Sequence, residues 1–159
     1  MAKVKRSTIL TYIDTTPEAT ATYNLLGIGV INGTINYNPN VETETYIHED
    51  TANISVASYA PTMPLEITMD DTDAVCEFLD TLRKARAVLG DAETTIVNVW
   101  NYESGGPTTA PAEQQNVSIQ VDSFGGDGGA AVKLNVTINY QGDPVAGTFN
   151  TSTKAFTAS

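Results

Sequence analysis

Between Val117 and Tyr140 the chain alternates with a period of two. Val117, Ile119 and Val121 are separated by Ser118, Gln120 and Asp122. After the turn-forming run Phe124-Gly-Gly-Asp-Gly-Gly129, Val132, Leu134, Val136, Ile138 and Tyr140 are separated by Lys133, Asn135, Thr137 and Asn139. Successive side chains of a strand point to opposite faces, so this spacing predicts two long strands, each with one oily and one wet face. The same alternation is shorter at Thr34–Asn38, at Leu65, Ile67 and Met69, and around Ala155-Phe156. Gly142-Asp-Pro144 is expected to turn the chain into a strand from Val145 to Phe149. Thr95–Tyr102 is apolar on both sides, with Ile96, Trp100 and Tyr102 on one and Val97 and Val99 on the other. Such a strand needs cover on both faces, from a helix on one side and from another layer or another subunit on the other.

A different period runs from Asp71 to Leu89. Val75, Phe78, Leu79, Leu82, Ala85 and Leu89 fall at three- and four-residue steps, which predicts a helix whose core face is Val75, Phe78, Leu79, Leu82 and Leu89. Asp71 or Thr72 can cap its first turn and Gly90 can end it, with acids near the start and Arg83, Lys84 and Arg86 near the end opposing the helix dipole. About eight or nine strands and one helix predict a mainly β fold, a β-sandwich or flattened barrel flanked by one α-helix.

Two stretches fit no compact core of their own. Residues 1–22 hold a short apolar run, Ile9–Ile13, followed by a segment of neither period, and are expected to form an extended N-terminal arm. Residues 42–59 read as strand, tip and strand, with Glu42 and Glu44 on one face, Ile54 and Val56 together on the return, and His48-Glu-Asp-Thr51 at the tip. That hairpin has too little apolar surface to stand alone and is expected to project. Gly27, Gly29 and Gly33 interrupt Leu25–Ile31 in the manner of bent β-structure, and Ser104–Pro111 reads as a loop.

At 159 residues the chain has the length of one domain, spanning 1–159, large enough to hide about 70% of its unfolded surface. Nineteen acidic against eight basic side chains give a formal charge of −11. That balance argues against a nucleic-acid-binding surface, which needs cations to displace phosphate counterions. The one basic cluster, Lys3, Lys5 and Arg6, reads as a solvated tail. A single cysteine precludes an internal disulfide, no leader-like segment suggests secretion, and no apolar run approaches the ~20 residues of a membrane span.

Catalytic parts are scarce. His48 is the only histidine and has acidic neighbours, while Cys76 sits near the apolar helix face and reads as packing. Asp70, Asp71 and Asp73 are explained by helix capping, and the Asp122–Gly129 run lacks calcium-loop spacing. The chain is therefore expected to be no enzyme and to need no metal or cofactor. A sheet protein with a loose arm, a projecting hairpin and a strand apolar on both faces instead offers edges for self-assembly.

The chain resembles the major tail tube proteins of tailed bacteriophages, in particular the small ones of long-tailed phages. The likeness lies in Tyr37–His48, Pro61-Thr-Met-Pro-Leu65, the helix Phe78–Leu89, Ile96-Val-Asn-Val-Trp100, Ser123–Gly129, Gly142-Asp-Pro-Val145 and Gly147-Thr-Phe149. The resemblance implies homohexameric rings stacked helically into a hollow virion tail tube, assembled in the host bacterial cytoplasm. Other tail proteins would join the tube ends, and viral DNA would pass through the lumen to the host cell without specific binding, with no membrane partner. On that reading Glu42, Glu44, Gln120 and Asp122 are lumen-facing candidates, because a negative wall lets DNA slide. Tyr46, Ile47, His48, Glu49, Asp50 and Thr51 are the candidates for contact with the next ring. The helix is then expected to pack over Val97 or Trp100. The alternative is a carbohydrate-binding or adhesive β-sandwich, for which Trp100 and Tyr102 could supply the aromatic platform.

Overall fold

The computed structural model of the chain describes residues 1–103 and 105–159; Ser104, inside the expected loop, lies outside them. Ten strands and one α-helix are present among the described residues, so the architecture is mainly β, with a curled sheet forming a half-barrel. The strands are β1 (Ile9–Asp14), β2 (Tyr23–Leu25), β3 (Val30–Gly33), β4 (Pro39–Glu44), β5 (Asn53–Tyr59), β6 (Thr62–Thr68), β7 (Glu93–Trp100), β8 (Ala110–Gly125), β9 (Lys133–Asn150) and β10 (Ala155–Ala158). The helix α1 is Ala74–Ala85. One antiparallel sheet runs β2-β1-β7-β8-β9-β6-β3, with β10 pairing the far half of β9, while β4 and β5 form a separate two-stranded sheet.

The long strands carry bulges that the alternating pattern does not reveal. In β8 the pairing register shifts between Gln114 and Asn116, opposite Gln141–Val145 of β9. An extra residue reverses which parity faces which side. Val117 and Ile119 thus face the helix side, whereas Ala110 and Ala112 face the other. Gly142-Asp-Pro144, expected to be a turn, is this bulge within one continuous strand. Gly142 supplies the left-handed φ of 66° and Pro144 sits where a ladder donor is dispensable. Ala110 and Pro111, expected in a loop, already belong to β8.

Two cores result, one on each face of the sheet. On the first, α1 crosses from β6 to β7 and lays Val75, Cys76 and Leu79 over Ile96, Val117, Leu134 and Val136, all at most 1% exposed. Burial pushes the Cys76 thiol pKa up, as suits a packing residue. The helix therefore sits on the Ile96 side of β7, not over Val97 or Trp100. On the other face Val97 and Val99 join Tyr12, Tyr23, Ala110, Ala112 and Phe149. β1 and β9 are three strand positions apart, about 14 Å across a flat sheet, yet the Tyr12 and Phe149 rings are 4.5 Å apart. The sheet closes on this face by curling, and the second layer over β7 comes from the same chain.

This changes the expected arm. Residues 1–22 do not hang free: β1 pairs β7 from Ile9 to Ile13, with Tyr12 5% and Ile13 0% exposed. The run Ile9–Ile13 is apolar on both sides because β1 divides the two cores. Only Met1–Lys5 extends without secondary structure before a single 3-10 turn at Arg6–Thr8.

The helix is shorter than its periodicity. Asp73 stands at its start, while Asp70 accepts from the backbone N–H and hydroxyl of Thr72 at 2.9 and 2.7 Å, a local turn that depresses the Asp70 pKa. At the other end Arg86, not Gly90, takes the left-handed conformation. The N–H groups of Arg86 and Ala87 donate to the carbonyls of Arg83 and Leu82, the paired closure that satisfies the last turn. Leu89 consequently lies in the following 3-10 turn, 85% exposed, and is not part of the helix core face. Val75 and Leu79 are buried, and Phe78 and Leu82 pack at the margin of that core. Gly29 brings β3 against β6: with φ of 76°, a Cβ there would lie 2.1 Å from the Thr68 carbonyl oxygen.

Candidate assembly surfaces

The wet side of the sheet is built from the residues that alternate with the helix-side core. Gln120 and Asp122 of β8 lie here, both exposed, beside Asn135, Thr137 and Asn139 of β9. Cross-strand hydrogen bonds knit them together. Asp122 accepts from Gln120 Nε2 and from the Thr137 hydroxyl, both at 2.6 Å. Asn135 donates to the Ser123 hydroxyl at 2.7 Å, Asn139 donates to Gln120 Oε1 at 3.3 Å, and Lys133 Nζ donates to the Thr68 hydroxyl at 2.6 Å. Asp122 stands at a second bulge, between Val121 and Ser123, which leaves it without a ladder partner.

The other two lumen candidates are elsewhere. Glu42 and Glu44 lie on the β4–β5 hairpin, paired with Ser55 and Asn53, so the four candidates fall on two different sheets. The opposite face of the hairpin pairs Val41 with Val56 and Thr43 with Ile54, and these apolar side chains are 47%, 52% and, for Ile54, 71% exposed. The root is tied down. Tyr37 and Tyr59 meet edge to face at 6.4 Å, Asn38 Nδ2 donates to the Ala60 carbonyl at 3.0 Å, and Ala60 N–H donates to the Tyr37 carbonyl at 3.1 Å.

At the tip, Tyr46 and His48 stack with centroids 6.5 Å apart, His48 Nε2 is 3.3 Å from a Glu49 carboxylate oxygen, and Glu49 N–H donates to the Tyr46 carbonyl. Ile47 has no cover at all. Asp50 and Thr51 complete an exposed tip. An unburied row of Val41, Ile47, Ile54 and Val56 on one hairpin is apolar surface awaiting a partner.

A third surface was not legible beforehand. Beyond the helix, the helix-side face of the sheet continues uncovered through Asn98, Trp100, Glu113 and Tyr140 and meets Tyr37 and Tyr59 at the hairpin root. The result is a groove of about 790 Å³. Asn98 anchors its floor: it accepts from the Thr11 hydroxyl at 2.9 Å and donates to the Tyr140 hydroxyl at 3.2 Å. Burial raises the Tyr140 pKa, and the Asn98 bond opposes that rise. Trp100 and Tyr102, expected on an apolar strand side, are half-exposed here and at the neighbouring mouth, which Arg6 and Glu103 also line.

On the helix side, Arg83 spans two elements. It pairs with Asp80 at 2.6 Å and lies 3.8 Å over the Phe124 ring, tying α1 to the end of β8. Among the described residues no cluster of three or more His, Cys, Asp or Glu side chains could hold a metal ion, and no helix is long and apolar enough to cross a membrane.

Against solved structures, the chain superposes on the SPP1 tail tube, determined by solid-state NMR and cryo-EM. The TM-score is 0.70 over 92% of this chain and 80% of that one, at 10% sequence identity. The chain has the phage tail tube fold. At such identity the likeness rests on the curled sheet, its flanking helix and their order, not on shared side chains. No protein-family model matches the sequence, and no curated protein matches it. Within the tail tube fold, the hydrogen-bonded wet face, the apolar hairpin and the aromatic groove are the three surfaces this chain leaves open.

Proposed function

We propose that the protein is the structural subunit of a phage tail tube, in which six copies close a ring and rings stack into a hollow conduit for viral DNA in the virion tail. The observation that carries the reading is the shared fold over nearly the whole chain. The open surfaces support it. Short edge strands, β2 of three residues and β3 of four, end the sheet without covering it, and the hairpin leaves an apolar face unburied. Closing the ring pairs edges, and stacking rings buries the hairpin against the next copy.

In that tube Gln120 and Asp122, and on the hairpin Glu42 and Glu44, face the bore. Tyr46, Ile47, His48, Glu49, Asp50 and Thr51 touch the adjacent ring, and other tail proteins meet the exposed surfaces at the two ends. The net charge of −11 keeps DNA from sticking, since no row of lysines displaces its counterions. Negative-stain electron microscopy of the purified protein tests this. Rings or tubes roughly ten nanometres wide are the expected result, a size set by closing several small domains. A protein that stays monomeric at every concentration and salt would refute it. Deleting Tyr46–Thr51 is expected to leave a folded protein that cannot polymerise, and normal tubes from that deletion would remove the tip from the interface.

A further inference from the structure

The aromatic groove and the first five residues have opposite chemistry. Three of the eight cationic side chains of this acidic chain stand within its first six residues, at Lys3, Lys5 and Arg6. In an extended segment Lys3 and Lys5 point to one side and Val4 to the other. The groove offers the complement: carboxylates of Glu113 and Asp143, with Glu103 at the adjoining mouth, beside an aromatic wall of Trp100, Tyr37 and Tyr59. Among the described residues the ion pairs are His48–Glu49, Arg83–Asp80 and Lys84–Asp80, so neither those carboxylates nor Lys3 and Lys5 have a partner within the chain. Glu113 is half-buried, which makes a missing cation costly.

The segment does not use its own groove. Arg6 is pinned at the groove mouth, donating to the carbonyls of Ile9 at 2.8 Å and Gly33 at 3.2 Å. The 3-10 turn that follows is closed by the Thr8 N–H and hydroxyl donating to the Lys5 carbonyl. One residue earlier the chain is wholly exposed, with Val4 59% accessible, so it leads away from the groove it starts beside.

We propose that Met1–Lys5 of one copy lies in the aromatic groove of the next, Val4 against Trp100 and Lys3 and Lys5 on Glu113, Asp143 and Glu103. The inference rests on the tube reading for its second copy and names the segment that bridges neighbours in addition to the hairpin.

Trp100 is the chain's single tryptophan, so its fluorescence reports the groove directly. The full-length Lys3→Glu/Lys5→Glu protein, whose own segment is disabled, is titrated with a synthetic peptide of residues 1–6. A saturable change in emission is expected, weakened roughly three- to tenfold by Glu113→Gln and absent with a peptide carrying glutamate at positions 3 and 5. No saturable change overturns the assignment. In full-length Val4→Cys/Tyr59→Cys protein, oxidation is expected to give a ladder of linked chains on a non-reducing gel. A fast-migrating linked monomer would show that each segment serves its own groove and would overturn the proposal. Wild-type tubes together with a silent peptide titration would refute the groove and leave the tube standing. Peptide binding to a protein that never forms tubes would support the groove and refute the tube.

Discussion

Replacing Phe149 by alanine removes the side chain that joins the two ends of the curled sheet. Phe149 is fully buried, 4.5 Å from the Tyr12 ring and 6.0 Å, edge to face, from Tyr23. The truncation uncovers about 130 Å² of apolar surface, worth about 3 kcal/mol at 25 cal/mol per Å². Two lost ring contacts of about 0.5–1.5 kcal/mol each bring the expected loss into the range of about 3–5 kcal/mol usual for buried Phe→Ala changes. Urea titration by far-ultraviolet circular dichroism, at a concentration where the protein is monomeric so that assembly does not add apparent stability, should show the midpoint falling by about 1.5–3 M for a slope of ~1–3 kcal/mol per M. Phe124, 46% exposed, is the control, and its alanine variant should lose no more than about 1 kcal/mol. A Phe149→Ala loss below about 1 kcal/mol would mean that the second core is not packed in the single chain. The face of Val97 and Val99 would then be covered by a neighbour instead.

Other expected outcomes follow from particular contacts. Leu79→Asp buries a charge beneath the helix and should yield no soluble folded protein, whereas Leu82→Asp, at the core margin, should fold with reduced stability; equal solubility of the two would put the wrong residue at the centre of the face. Hydrogen bonds from Arg83 and then Lys84 hold the Asp80 pKa below its ordinary value. The stability they add is therefore complete above the unfolded carboxylate pKa of about 3.9 and is lost as pH falls through the lower folded value. Asp80→Asn should accordingly cost up to about 1 kcal/mol at pH 7 and nothing in strong acid, and a cost that grows on acidification would reverse the sign of the argument. Gln120→Lys/Asp122→Lys tubes should co-sediment with short duplex DNA at low salt and release it as salt rises, while wild-type tubes leave it in solution; no retention by the lysine variant would place these residues away from the bore.

The strands around Leu134 and Ile119 were readable because one face is oily and the other wet, which is what period two reports. Where that contrast fails, the sequence misleads. β1 divides two cores, so Leu10, Tyr12 and Ile13 carry no alternation and resemble a stray apolar run. The first half of β8 packs with alanines, because Phe149 and Tyr12 already fill the space above it, and Ala110-Pro-Ala112 therefore resembles a loop. The helix end was hidden for another reason. Ala87, Val88 and Leu89 continue the helical period, but termination is set by the left-handed Arg86, which no glycine announces. The acids Glu42 and Glu44 were assigned by alternation alone, and alternation gives a face of a strand, not the sheet to which it belongs. The groove was invisible because Trp100, Glu113, Tyr140 and Tyr37 come from four separate stretches that only the curl of the sheet and the hairpin root bring together.

The hydrogen bonding of the wet face bears on what a bore-lining surface must do. A polar wall with free donors would hold a passing phosphate backbone almost as well as lysines would, because phosphate oxygens accept from amides and hydroxyls as readily as from cations. Here the donors are engaged: Gln120 and Thr137 point theirs at Asp122, Asn135 at Ser123 and Asn139 at Gln120. Lys133, the cation of these strands, is turned onto Thr68. Each bond satisfies a donor within the wall and leaves the acceptor oxygens of Asp122 and Gln120 outward, so the face repels phosphate weakly while remaining wetted. Surface polarity and low adhesion, which conflict for isolated side chains, are thus reconciled by pairing across β8 and β9. A bulge at Asp122, which frees its carboxylate to accept from both strands, is the local feature that makes the pairing possible.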